Sequence, residues 1–295
     1  MSDRLDILCA GRIYADLVFT GEDLALMPGR EVFAEGLGLV AGGGAVITAC
    51  HAAAHGLRAG VTGIAPAAPF DAVVRRDLAA NHVLDRIAPA APGSDPQVTV
   101  VLVQGSERSF LTRRPGPALP TPLRLPAARH LHIGELATAL AHPDLIPQAR
   151  GQGMSVSLDC GWDDAAFGAP GVAGVIAAVD VFLPNRAEAE RLAALGVDVA
   201  PRHLTVVKEG AAGARAEGPD GTARAAARPA RVVDTTGAGD AFNAGFLSGW
   251  LDGCPLEESL ARGNAAGSRA VERIGGAGAL PPVTPDRPVT RVGQV

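Results

Sequence analysis

The residues with the clearest chemical potential form one run, Asp234-Thr235-Thr236-Gly237-Ala238-Gly239-Asp240. Before it, Arg231-Val232-Val233-Asp234 reads as the end of a strand, and after it Ala241 to Leu251 reads as an apolar helix. At the start of such a helix the first backbone N–H groups are unpaired and the dipole favours negative charge. Side chains no larger than a methyl at Gly237, Ala238 and Gly239 let a phosphate come close to those amides. Asp240 then stands where a carboxylate can take the proton of an attacking hydroxyl. Positioning, charge stabilisation and a base beside the nucleophile are what phosphoryl transfer requires. The plainer reading makes Asp240 a cap after a turn.

Other residues offer weaker chemistry. Asn185 and Glu188, in Pro184-Asn185-Arg186-Ala187-Glu188, can share a hydrated cation from one helical face, or can simply form a capping box. Lys208 is the only lysine in an arginine-rich chain, and a compact ammonium there suits a phosphate contact. Asp16 is either a ligand for hydroxyl groups or an exposed turn residue. His51 and His55 have no third ligand and no HExxH pattern, so they read as a surface or half-buried pair. His130 and His132 alternate on a strand and read as structural. Gly36 to Ala41 matches a dinucleotide fingerprint in form only, since no clear strand precedes it and no acidic residue stands about 20 residues on. A Walker A loop is excluded, because Lys208 is followed by Glu209.

These residues need elements to hold them. Short apolar strands are expected at Leu5–Ala10, Arg58–Ile64, His130–Ile133, Ser155–Leu158, Val179–Leu183 and Leu204–Val207. Helices are expected at Ala45–His55, with Gly56 as C-cap, and at Asp71–His82, Ala241–Leu251 and Leu256–Arg273. Alternation of strands and helices implies a mainly parallel buried sheet, with ligands beyond the carboxyl ends of its strands. Gln97–Val103 and Arg108–Thr112 form a hairpin signal. With residues 12–40, the segment 97–115 makes a small β lid over the sheet edge. No domain boundary interrupts residues 1–295, and 281–295 reads as an extended tail.

The 295 residues are 47% hydrophobic, enough for a substantial core. A net charge of −5 and 4% aromatics argue against nucleic acid as a partner. Cys9, Cys50, Cys160 and Cys254 form no CxxC pair and suit free thiols in a reducing cytoplasm. No apolar h-region follows the N-terminus, and Val172–Val179 is too short to span a bilayer.

The run Asp234–Asp240, continued by Ala241-Phe242-Asn243-Ala244-Gly245, resembles the C-terminal signature of the ribokinase (PfkB) family of carbohydrate kinases, and the resemblance extends over nearly the whole chain. It implies a three-layer αβα fold with a β lid, and transfer of the ATP γ-phosphoryl group to a hydroxyl, in the first place the hydroxymethyl of a sugar or sugar acid. By the same resemblance Asp240 is the base and the amides of Gly237, Ala238 and Gly239 are the anion hole. Asp16, Gly42, Gly43 and position 47 face the substrate, with Ile47 standing where the family usually has Asn. Asn185, Lys208, Gly210, Gly213 and Asn264 lie on the ATP side. Asn185 and Glu188 handle Mg²⁺, while Asp234 and Thr236 lie where relatives bind a monovalent cation such as K⁺. A homodimer through the lid is implied as well. A nucleoside kinase of the same family, a catalytically silent sugar-binding regulator and a nucleotide-dependent oxidoreductase are the rival expectations.

Overall fold

The computed structural model describes residues 4–105, 107–197, 204–219 and 221–283. The chain starts on β1 (Leu5–Ala10), leaves the main sheet for β2 (Tyr14–Thr20) and β3 (Gly36–Gly42), and returns through α1 (Gly44–Ala54), β4 (Ala59–Thr62), α2 (Asp71–Ala80) and β5 (Leu84–Asp85). A second excursion forms the hairpin β6 (Val98–Gln104) and β7 (Glu107–Arg113). Then come β8 (Ala128–Ile133), α3 (Leu136–Ala141), α4 (Leu145–Gly151), β9 (Ser155–Asp159), α5 (Asp164–Phe167), α6 (Val172–Ala178), β10 (Val181–Leu183), α7 (Arg186–Ala194) and β11 (Leu204–Lys208). The hairpin β12 (Ala214–Gly218) and β13 (Gly221–Ala225) precedes the last two helices, α8 (Ala238–Leu251) and α9 (Leu256–Ala270).

The main sheet has the order β13-β12-β11-β10-β9-β8-β1-β4-β5. Its strands are parallel from β11 to β5, and the β12–β13 hairpin closes one edge antiparallel. Apolar residues on both faces follow from burial on both sides. One face meets α1, α2, α8 and α9 around Ile7, Cys9, Val181, Phe242 and Phe246. The other meets α3 to α7 around Leu8, Leu131, Leu158, Phe167 and Leu192. This is the expected three-layer αβα arrangement.

The second sheet has the order β3-β2-β6-β7: two antiparallel pairs joined by parallel pairing of β2 with β6. Each pair comes from a separate excursion of the chain, so the sheet reaches over the carboxyl ends of the main strands. One expected element is absent. Residues 231–234 are not a strand; the amides of Val233 and Asp234 instead bond the Val271 carbonyl at the end of α9, at 2.7 and 3.1 Å. With β13 at the sheet edge and Val232 half exposed, there is no neighbouring strand to pair with. The expected tail 281–295 falls outside the described residues from 284 onward.

Candidate active site

Five parallel strands end on one side of the sheet, and each delivers a polar group there. Glu135 follows β8, Asp159 ends β9, Asn185 follows β10, Lys208 ends β11, and β1 leads through Gly11 to Arg12. Helix α8 points its N-terminus at the same place. Gly237, at φ +74, turns the chain into it, and Asp240 stands in its first turn.

Around Asp240 lie three carboxylates and one ammonium. Lys208 Nζ meets Asp159 Oδ2 at 2.8 Å and Oδ1 at 3.0 Å, and Asn243 Oδ1 at 3.2 Å. Asn243, one turn after Asp240 on α8, donates back to Asp159. Burial alone would lower the Lys208 pKa, but Asp159 and Glu188 outweigh it and hold it above the ordinary lysine value. Burial pushes the Asp240 carboxyl upward, as does the negative charge of Asp159, against the pull of Lys208. Glu188 is raised for the same two reasons. Enclosure and like charge both disfavour the ionised form, so this cluster is short of positive charge.

Asn185 and Glu188 form a capping box at the start of α7. The Asn185 amide donates to Glu188 Oε2 at 2.7 Å, and the Glu188 amide donates to Asn185 Oδ1 at 2.9 Å. Capping and facing the cluster are therefore not alternatives here. Among the described residues no group of His, Cys, Asp or Glu side chains is assembled to hold a metal by itself.

Two cavities meet at this cluster. The larger is a cleft of about 900 Å³, within the range that suits a small-molecule ligand. It runs from Asp159, Glu188 and Lys208 past Gly210 and Gly213 to Asn264. Asn264 holds the wall of the cleft by donating to the carbonyls of Ala225 and Ala226 at 2.8 and 3.2 Å. The smaller, about 560 Å³, lies under the second sheet and is lined by Tyr14, Asp16, Ile47, Thr99, Arg108 and Phe110. Asp240 and Thr235 line both. Asp16 is buried, and that burial pushes its carboxyl up to about 7 although Thr99 hydrogen-bonds it. Ile47 packs behind the loop, in the space a side chain on Gly237 or Gly276 would need.

Gly42, Gly43 and Gly44 are closely packed by their neighbours. A Cβ on Gly42 would strike the Asp16 carboxylate, one on Gly43 the Arg12 carbonyl, and one on Gly44 would sit 2.9 Å from Asp240 Oδ1. Asp234 is enclosed as well: its Oδ1 accepts from the Thr236 amide at 2.8 Å and faces Arg108 Nη1 at 3.2 Å, and its Oδ2 accepts from the Gly275 amide at 2.8 Å. Thr236 Oγ1 is buried without a partner. The set expected from sequence is thus gathered at one place. Asp159, Asn243, Thr99 and Arg108 join it without having been singled out.

The chain matches the model of the pfkB family carbohydrate kinases over residues 4–282. An uncharacterised sugar kinase of Archaeoglobus fulgidus is 35% identical over 139 residues, covering 43% of this chain and 54% of that protein. The chain spans between 20% and 54% of the length of the curated relatives it matches. Among solved structures, adenosine kinase from Sinorhizobium meliloti superimposes with a TM-score of 0.78 at 21% identity, over 94% of this chain and 97% of that one. A putative ribokinase II from E. coli in complex with ATP and Mg²⁺ gives a TM-score of 0.76 at 20% identity, over 92% and 94%. At such identities the structural likenesses speak for the fold alone.

Proposed function

The chain belongs to the pfkB family of carbohydrate kinases, phosphotransferases with an alcohol group as acceptor, and from that premise we propose that it transfers the ATP γ-phosphoryl group to a hydroxyl of a sugar or sugar acid held under the second sheet. The observation that carries this reading is the place of Asp240, the ionisable side chain shared by the nucleotide-sized cleft and the smaller cavity. A hydroxyl in the smaller cavity and a phosphoryl group in the larger one would meet beside Asp240.

In this reading the nucleotide lies along the cleft from Asn264 to Lys208, and the acceptor is oriented by Asp16 and Thr99. Asp240 takes the proton of the attacking hydroxyl; its raised pKa brings it closer to working pH, where a general base is most effective. The amides of Gly237 to Gly239, at the positive end of α8, stabilise charge on the transferring group. Glu188, Asp159 and Asn185 would hold Mg²⁺ together with the nucleotide, which fits a cluster short of positive charge. When bound, the ion neutralises the phosphates. Lys208 is already committed to Asp159 and Asn243, so it orders these groups from below and is not assigned to the phosphate directly.

The second sheet acts as a lid that excludes water from transfer. Its outward positions include Leu17, Phe19, Leu37, Leu39, Val100, Leu102 and Leu111, an apolar patch across four strands bordered on β7 by Ser109 and Arg113. Two copies pairing through these faces would cover them, so a homodimer through the lid belongs to the same proposal.

The test is ADP release from MgATP across a panel of sugars, sugar acids and nucleosides, with Asp240→Asn as the control. An accepted substrate whose kcat drops roughly 10²- to 10⁴-fold in the variant supports the assignment. A near wild-type rate in Asp240→Asn removes Asp240 from the base role, and a nucleoside as the best acceptor replaces the sugar reading.

A further inference from the structure

The resemblance expects a monovalent cation at Asp234 and Thr236, and their surroundings do not fit one. An ionised carboxylate offers about four acceptor positions. Three of those on Asp234 are directed at the Thr236 amide, the Gly275 amide and the Arg108 guanidinium. The Asp234 side chain has no exposed surface, and that of Arg108 is 14% exposed. Among the buried side-chain atoms there, Thr236 Oγ1 is the one without a partner, and a neutral hydroxyl adds no negative charge to hold a cation. The positive charge beside Asp234 is therefore covalently attached to the chain.

We propose that Arg108 takes the place of the monovalent cation, so that the transfer reaction of this chain needs no K⁺. The proposal rests on the kinase assignment above. Asp234 orders the loop 235–237 through the Thr236 amide and ties it to Gly275. Left without a counter-charge, it would place a buried negative charge next to amides that must receive a phosphoryl group. A dissolved ion supplies that counter-charge only in proportion to its occupancy. A guanidinium on β7 supplies it whenever the lid lies over the loop, and it is charged at any working pH. Arg108 is thus a positioning residue with two duties, neutralising Asp234 and joining the lid to the anion hole.

The test compares K⁺ with N-methyl-D-glucamine at equal ionic strength. Wild-type kcat is expected to agree in the two salts within about twofold, and wild-type protein to melt at the same temperature in both. Arg108→Ala is expected to lose roughly tenfold or more in kcat in N-methyl-D-glucamine, with part of the rate recovered by adding K⁺ or by Arg108→Lys. Rescue by neither marks a packing role and overturns the proposal, as does wild-type kcat in Arg108→Ala or a wild-type rate that depends on K⁺. The melting comparison needs no acceptor. A K⁺-specific rise in the wild-type melting temperature overturns the proposal even if no acceptor is ever phosphorylated, which separates its failure from failure of the kinase assignment.

Discussion

At the scale of the residue, Asp240 shows how this site holds a group in an unfavourable state. Its carboxylate is enclosed and lies near Asp159 and Glu188, with Lys208 as the compensating charge. A carboxyl whose folded-state pKa lies above its unfolded value costs stability once the pH exceeds the unfolded value, because the folded state resists ionisation. Asp240→Asn removes that cost while keeping the shape. The variant should be more stable than wild type at pH 8, by an amount on the order of 1 kcal/mol; thermal or urea unfolding measures it, and a less stable variant contradicts the charge balance described here. The sequence made this residue legible because the proposed base and anion hole occupy consecutive positions. Asp16 and the glycines at 42 and 43 were singled out only through the family resemblance, and Asp16 lies buried on β2 instead of exposed in a turn. Asp159 was not: nothing around Leu158-Asp159-Cys160 distinguishes it, and its meaning comes from Lys208, 49 residues further on. The available signal was that two apolar strands, Ser155–Leu158 and Leu204–Val207, each end on an opposite charge.

At the scale of the element, β8 and β9 carry a polar stripe on an otherwise apolar sheet face. His130 Nδ1 and Nε2 lie 2.8 and 2.7 Å from Ser155 Oγ and Ser157 Oγ, and His132 Nδ1 lies 2.9 Å from Ser157 Oγ. His130 also meets Trp250 of α8 edge-on, so the stripe lies between the sheet and the helix that carries Asp240. The sequence reading of these histidines as structural agrees with that placement. Burial lowers His130 to about 3 and His132 to about 4. An unfolded chain binds protons at these positions below about pH 6.5 while the folded one does not, so their contribution is complete above that pH and is lost as the pH falls towards 4. Against a His132→Asn variant, wild type should therefore lose about 1.4 kcal/mol of relative stability per pH unit below 6.5. Urea unfolding of both proteins at pH 7 and pH 5 reads this, and an unchanged difference would mean that His132 is protonated in the fold. The long helices and parallel strands were legible from their apolar runs. The missing strand at 231–234 was not, because an extended Val-Val pair says nothing about whether a neighbouring strand exists.

At the scale of the molecule, the lid presents two faces of different chemistry. Alternation along each strand sends Asp16, Thr99, Arg108 and Phe110 towards the cavity, and Leu17, Val100 and Leu111 away from it. Leu111 is 72% and Leu37 63% exposed, an uneconomical arrangement for a lone chain and a suitable one for a self-complementary pair. Leu111→Asp should halve the mass measured by light scattering after size-exclusion chromatography, with little change in the melting of the monomer, since the side chain is already in solvent. Unaltered mass, whether the wild type is a dimer or not, removes this face from the interface. Arg108 escaped the sequence reading at this scale, because only the meeting of the two sheets joins residue 108 to residue 234.

That meeting also bears on the order in which the protein acquires its parts during synthesis. The lid strands lie within residues 14–113, whereas the loop they close against lies at 234–240 and is held in place by Gly275. A growing chain exposes its N-terminal portion first. The cavity-facing residues of the second sheet therefore emerge long before the loop at 235–240, and Arg108 has nothing to grip until Asp234 has emerged. In the proposed function, competence for transfer therefore comes last, once Gly275 has emerged to fix Asp234.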